Sequence, residues 1–303
     1  MFGALLTTFF FSLSGVFASR TAKYLGGTEA NFWRLCIGTL FLALYSYIYG
    51  IGLGGEAFPL LFVSGCIGFG LGDLCLFQAY PRIGSRLAIL IVHCLAAPFA
   101  TVTEYFWLGT KVSLREMGCA AIILIGVALA LSPRANTGSP RKETGKGVVF
   151  GIIAALSQAL GAVGTRKAFS IAADHHYSIN GINAAYQRII GGVIVSGLVL
   201  VVVKRDYLFS PGKHTAEQAT KWKIAFPWVV ANAIAGPTLG VSCYQWALKT
   251  TPTAIVLPVV ALTPLVIVPF AWIMEGEKPS LFSLAGGAVA VAGVCLLKMN
   301  VGH

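Results

Sequence analysis

The amino-acid sequence predicts an all-α polytopic membrane protein whose ten transmembrane helices form two inverted five-helix repeats. Three observations predict it. Of 303 residues, 56% are hydrophobic and only 11% are charged, against roughly 25% charged in a soluble domain. The apolar residues gather into ten runs, most of them near the ~20 residues needed to cross roughly 30 Å of hydrocarbon. The second half of the chain also rewrites the first, most plainly between Cys243 and Leu297. A soluble oxidoreductase with a large buried sheet is excluded by the length, number and even spacing of the runs. A membrane barrel is excluded because the runs lack period-2 alternation.

In chain order the spans are Phe2–Ala22, Phe32–Tyr49, Phe58–Ala79, Arg86–Leu108, Leu114–Leu131, Gly147–Ala168, Ile182–Val203, Ile224–Leu248, Ile255–Met274 and Leu281–Leu297. Glycine and proline punctuate the connections, as in Gly50-Ile-Gly-Leu-Gly-Gly and Pro211-Gly212. The stretch around Ser132–Lys146, rich in Ser, Pro, Lys and Arg, is the one convincing linker. It divides the chain into a first repeat (1–132), a linker (133–146) and a second repeat (147–303). The first run lacks a basic n-region and leads straight into further spans, so it reads as a retained helix rather than a cleaved signal. All seven cysteines fall inside apolar runs without a CxxC pair, which fits small core residues and neither disulfides nor a metal site. The net charge of +11 does not point to nucleic acid. The basic residues stand singly or in short clusters at the ends of runs, where they meet headgroups and set topology.

The repeat is visible residue by residue. A shift of 168 places Gly68, Leu71, Gly72, Cys75 and Ala79 on Gly236, Leu239, Gly240, Cys243 and Ala247. A shift of 167 places Gly109, Ser113, Leu114, Gly126 and Val127 on Gly276, Ser280, Leu281, Gly293 and Val294. Earlier in the unit, a shift of 146 carries Ser12, Gly15, Ser19 and Arg20 onto Gln158, Gly161, Thr165 and Arg166, and a shift of 154 carries Arg34 onto Arg188. Five spans is an odd number, so the second copy enters from the opposite side of the membrane and a pseudo-two-fold axis lies in the membrane plane.

These features resemble the drug/metabolite transporter superfamily, specifically its ten-helix EamA type, over essentially the whole chain. The resemblance rests on the arginine opening the second helix of each repeat (Trp33-Arg34-Leu35 and Gln187-Arg188-Ile189). It rests further on the joins FQAYPRIGSRLAIL and YQWALKTTPTAIVLP, and on the ends of the two repeats at Trp107–Leu129 and Met274–Leu296. The second copy carries the family's Gly-Glu pair as Gly276-Glu277, whereas the first has Gly109-Thr110. The resemblance implies the EamA fold and secondary active transport by alternating access. It implies export or exchange of a small polar or amphipathic metabolite such as an amino acid, with sugars and lipid-linked intermediates as alternatives. It also implies a site where the first, third and fourth spans meet the sixth, eighth and ninth.

Charged residues inside hydrocarbon cost several kcal/mol unless paired or hydrated, so each is a candidate for function. Arg34, Arg188, Arg20 and Arg166 occupy symmetric positions near helix ends, which favours structural roles. Arg86, His93 and Glu104 follow one another by seven and eleven residues, which aligns them on one helical face within roughly 20°. Asp73 and His93 each stand ten residues from the turn near Ile83. At ~1.5 Å per residue they share a depth and are expected to touch, while the repeat puts Val241 and Ala261 at their counterparts. Burial and mutual attraction pull the proton affinities of such a pair in opposite directions, so Asp73, His93 and Glu104 are the proton-coupling candidates. Ser12, Asp73, Arg86, His93, Gln158, Tyr244 and Gln245 are the substrate-binding candidates. Gly236-Pro237, Pro258, Pro264 and Pro269 are expected to bend or break the eighth and ninth helices and free carbonyls.

No nucleotide-binding loop is present in the sequence, so the energy for transport is expected from an ion or solute gradient. No cofactor or metal is expected. The expected partners are a small-molecule solute and membrane lipid, not nucleic acid, with the chain a monomer or homodimer in the plasma (inner) membrane. An intramembrane enzyme built on Asp73, His93 and Glu104 is the rival from another class, but no nucleophile with a matching base appears. An accessory subunit without transport is the third reading. Lysines and arginines number six on the side of the termini and fourteen on the other. That count places both termini outside, whereas the family resemblance places them in the cytoplasm.

Overall fold

The computed structural model describes residues 1–83, 85–131, 144–204, 216–263, 265–266 and 281–300. Among these every regular element is a helix, with no strand. The helices are α1 (Phe2–Leu25), α2 (Gly27–Tyr49), α3 (58–83), α4 (Ser85–Leu108), α5 (Leu114–Leu131), α6 (Thr144–Asp174), α7 (Gly181–Val203), α8 (216–250), α9 (Thr253–Val260) and α10 (Leu281–Asn300). Seven are long and apolar enough to cross a membrane, and Ala285–Leu296 is a shorter apolar helix. Residues 133–143 of the linker, the segment after residue 266 that holds Pro269 and Gly276-Glu277, and Pro264 lie outside the described residues.

Local chemistry sets several boundaries. At the start of α5, Ser113 and Glu116 form a reciprocal box: the Ser113 N–H and hydroxyl each reach Glu116 Oε2 at 2.8 Å, and the Glu116 N–H donates to Ser113 Oγ at 3.2 Å. That Ser-x-x-Glu arrangement satisfies two amides that the first turn leaves without partners. Asn180 starts α7 by accepting the Asn183 N–H at 2.7 Å, the preferred N-cap chemistry. Between α1 and α2 the chain turns on the single residue Gly26 at φ 80°, a conformation glycine adopts without steric cost.

The third helix of each repeat is interrupted at the same place. In α3 the π-helical segment Cys66–Gly72 separates Phe58–Gly65 from Asp73–Ile83, and in α8 Ile234–Gly240 separates Ala216–Ala233 from Val241–Thr250. The two segments are offset by 168 residues, the shift read from the sequence. Their texts, CIGFGLG and IAGPTLG, explain the widening: glycines tolerate it, and Pro237 has no N–H to keep α-helical register.

Packing follows the pseudo-two-fold. Helix α2 packs on α7 and α5 on α10, each against its own counterpart. Helix α1 packs on α8 and α9, and α6 packs on α3 and α4, so the first helix of each repeat is held by the third and fourth of the other. Matching contacts recur in detail. A Cβ at Gly38 would come 2.8 Å from Pro237, and one at Gly192 would come 2.5 Å from Phe69; in both, a second-helix glycine admits the other repeat's π-helical segment. Gly126 and Gly293 do the same for α5 and α10, lying against Ala290 and Ile123. Lipid supplies no hydrophobic drive between helices, so close approach over small residues is the main source of association.

Candidate functional site

The polar residues converge along the seam between the repeats, and arginines organise it. Arg34 on α2 forms an ion pair with Asp73, Nη2 to Oδ2 at 2.6 Å, and its Nε donates to Asn31 Oδ1 at 2.8 Å. Asp73 is the first α-helical residue after the π-helical segment of α3, so the interruption sets where its carboxylate points. The expected pair of Asp73 with His93 does not form. Asp73 is taken by Arg34, and no described hydrogen bond or ion pair joins it to His93, which is half-buried on α4. Equal distance from a turn carries no information on azimuth.

Glu104 also has a partner the sequence did not suggest. Its carboxylate, 2% exposed, lies 2.7 Å from Arg166 Nε, with the N–H turned off the line to the oxygen. It also accepts the backbone N–H of Thr253 at 2.8 Å and the Thr253 hydroxyl. Arg166 donates to the Leu248 carbonyl at 3.1 Å. One carboxylate thus ties α4 of the first repeat to α6 and the start of α9 in the second. Arg20, the repeat counterpart of Arg166, instead lies over the Trp228 ring at 4.3 Å.

Arg188, the counterpart of Arg34, is 4% exposed and pairs with no carboxylate among the described residues. Its Nη2 reaches the Ser64 carbonyl at 3.5 Å, the outer limit of a hydrogen bond, and its Nε has no partner. The guanidinium lies 5.2 Å over the Phe69 ring. Two glycines make room for it: a Cβ at Gly68 would sit 2.9 Å from Nη2, and one at Gly161 would sit 3.1 Å away. Tyr244 and Asp73 are its electrostatic neighbours. The Tyr244 hydroxyl is buried without a partner, as are both polar atoms of the Gln245 amide, fully buried on α8.

The remaining candidates are placed as follows. Ser12 is fully buried, and its hydroxyl lies 2.6 Å from the Thr8 carbonyl and 2.9 Å from that of Thr263. Thr8 donates to the Val259 carbonyl at 3.0 Å, so α1 satisfies carbonyls where α9 is disturbed, which the prolines led one to expect. Gln158 is half-buried on α6, and helical spacing sets it on one face with Gly161 and Thr165. Thr165 and Ser64 lie 3.1 Å apart, and both contact the Gly161 carbonyl. The Arg86 side chain lies outside the described residues. Among the described residues no three His, Cys, Asp or Glu converge as a metal site.

The structure therefore gathers Arg188, Tyr244 and Asp73, with Gln158 on the face of Gly161. Sequence reasoning weighed Arg34 and Arg188 as structural and so missed the difference between them. The signal was in the repeat alignment: Asp73 answers Arg34, and Val241 stands where Arg188 would need its acid.

Known proteins match along these lines. The chain is 31% identical over 156 residues to a GDP-fucose transporter of Caenorhabditis elegans, covering 47% of this chain and 40% of that protein. It is 25% identical over 130 residues to the pseudopaline exporter CntI of Pseudomonas aeruginosa, covering 43% of this chain and 45% of that protein. The matched region thus spans less than half the length of these relatives. A solved crystal structure aligns with 99% of this chain and 96% of its own at a TM-score of 0.71 and 16% identity, which speaks for the fold alone. The model of the EamA-like transporter family matches residues 1–132 and 145–299. The chain is a multi-pass integral membrane protein and belongs to the EamA-like transporter family.

Proposed function

We propose that the protein is a secondary transporter that moves a small polar metabolite by alternating access, one five-helix repeat rocking against the other. The observation that carries this reading is the seam itself. Both π-helical segments lie on it, each packed against the other repeat's second helix through a glycine. Beside them lie buried polar atoms with no partner. Unpaired buried donors are costly in a static protein, and irregular backbone inside a membrane is tolerated where it lines a cavity. The cost is offset when a solute occupies the site. Amino acids, GDP-fucose and pseudopaline all belong in the substrate panel, the last two because of the relatives' named substrates.

Solute counterflow in proteoliposomes tests this reading. Accelerated exchange of one solute without chemical change is the expected result; product formation points to an intramembrane enzyme, and silence across the panel to an accessory subunit. Proton coupling through Asp73, His93 and Glu104 is read in the same vesicles with an imposed pH gradient. Accumulation driven by the gradient in the parent and lost in Asp73→Asn is expected. Equal accumulation in Asp73→Asn and His93→Ala restricts both residues to structure.

A further inference from the structure

From the unpaired guanidinium at the seam, we infer that the solute carries an oxyanion, a carboxylate or a phosphate, that binds Arg188. The inference rests on the transport reading above and names its substrate class.

Among the described residues the charges of the seam do not balance. Arg34 and Arg188 bring two guanidiniums, and Asp73 brings one carboxylate, which is committed to Arg34 at 2.6 Å. The other carboxylate of the interior, Glu104, is committed to Arg166 and Thr253. One positive charge is left, on a side chain 4% exposed whose best described hydrogen bond is 3.5 Å long. An arginine does not shed its proton, so burial cannot neutralise it. A buried cation without a counter-ion is among the costliest arrangements a membrane protein can hold. Its planar fork matches carboxylate and phosphate oxygens in two-point contact.

The polar groups nearby suit an anion. Gly68 and Gly161 bring their backbones against Nη2, whereas Nε is buried with no partner. The neighbouring Tyr244 hydroxyl, also without a partner, is a second donor for the same oxyanion. At the symmetric place Arg34 has Asp73, and Val241 stands where the second acid would be, packed with Ala185 and Ile189 on the helix of Arg188. The fold thus accommodates a carboxylate beside each arginine, and this sequence leaves one of the two places to the solute.

The test compares acids with neutral counterparts on the purified full-length protein at constant ionic strength: L-glutamate against L-glutamine, and glucose 6-phosphate against glucose. Thermal midpoints are measured for the parent, Arg188→Gln, Arg188→Lys and Val241→Asp. At least one acid is expected to raise the parent midpoint by about 3 °C or more while its neutral counterpart does not. Glutamate and glucose 6-phosphate separate the carboxylate from the phosphate source. Arg188→Lys keeps the charge and part of the shift. Val241→Asp supplies the missing carboxylate internally and abolishes the shift, so the result does not depend on whether Arg188→Gln folds. No shift with either acid, equal shifts with the neutral counterparts, or an undiminished shift in Val241→Asp overturns the inference. Counterflow of the same four solutes keeps the two readings apart. Acid binding without flux sinks the transport reading alone, and flux of the neutral solutes in preference to the acids sinks the anion alone.

Discussion

The two five-helix repeats share a fold and differ in how they treat the same arginine. In the first, Arg34 finds Asp73 on its own repeat's third helix. In the second, Val241 takes the place of the acid, and Arg188 leans toward Ser64, Gly68 and Phe69 of the other repeat. Arg166 and Arg20 differ likewise, one held by Glu104 and the other over Trp228. The backbone does not follow these differences, since the π-helical segments and their glycine contacts recur at matching positions. Pseudo-symmetry here is a property of packing, and asymmetry a property of charge. Movement needs the first, because two similar halves can exchange roles on the two sides of the membrane. Recognition of one solute needs the second.

The largest expected effect breaks the packing. A methyl group at Gly65 would run into the Arg188 carbonyl oxygen, whereas the counterpart of Gly65 in the second repeat is Ala233, fully buried and accommodated. Gly65→Ala is expected to cost more than about 3 kcal/mol, since a backbone atom cannot swing aside as a side chain does. Ala233→Gly is expected to cost about 1 kcal/mol. Thermal midpoints of the solubilised variants measure the difference, and equal losses would remove the asymmetry.

Charge comes next. Glu104→Gln keeps an oxygen for Thr253 but leaves Arg166 with only the Leu248 carbonyl, a loss of about 3 kcal/mol for a carboxylate this buried. Asp73→Asn is expected to cost about 2 kcal/mol, less because the Asp73 side chain retains 22% exposure. Arg188→Met is expected to leave the midpoint unchanged or raise it, since it removes a buried charge with no counter-ion, while abolishing counterflow. A large destabilisation by Arg188→Met would show that this arginine is as structural as Arg34.

The smallest effect concerns orientation and changes no stability. In a background free of the seven native cysteines, Lys249→Cys is expected to react with an impermeant thiol reagent from outside and Lys23→Cys is not, following the positive-inside count. The opposite pattern would give the two repeats the reverse orientation that the family resemblance implies.

Much of this molecule was legible before any coordinates. The span Leu114–Leu131 is the helix found, and the Ser113/Glu116 box that starts it is a local pattern. Apolar length predicts one helix from Phe58 and one from Ile224, and the structure divides both with a π-helical segment. The glycines and Pro237 marked the places, but the widened register depends on what packs there, Val195 and Ser157 against one segment and Ser14 and Phe11 against the other. Asp73 and Glu104 were recognised as costly in lipid, and their partners were not. Arg34 is 39 residues from Asp73 and Thr253 is 149 from Glu104, and hydropathy carries no information on which helix faces which.

Amino-acid composition and the comparison of the two halves establish the solvent, the number and order of the helices, the repeat and its inversion, and which side chains carry unusual cost. Each of these follows from the length and composition of local segments, or from comparing one half of the chain with the other. Which costs are cancelled depends on how the helices pack. Ion pairing depends on distances of a few ångströms, set by the azimuth and register of helices far apart in the chain. By that geometry Asp73 pairs with Arg34 and Glu104 with Arg166 and Thr253, while Arg188 pairs with no carboxylate among the described residues.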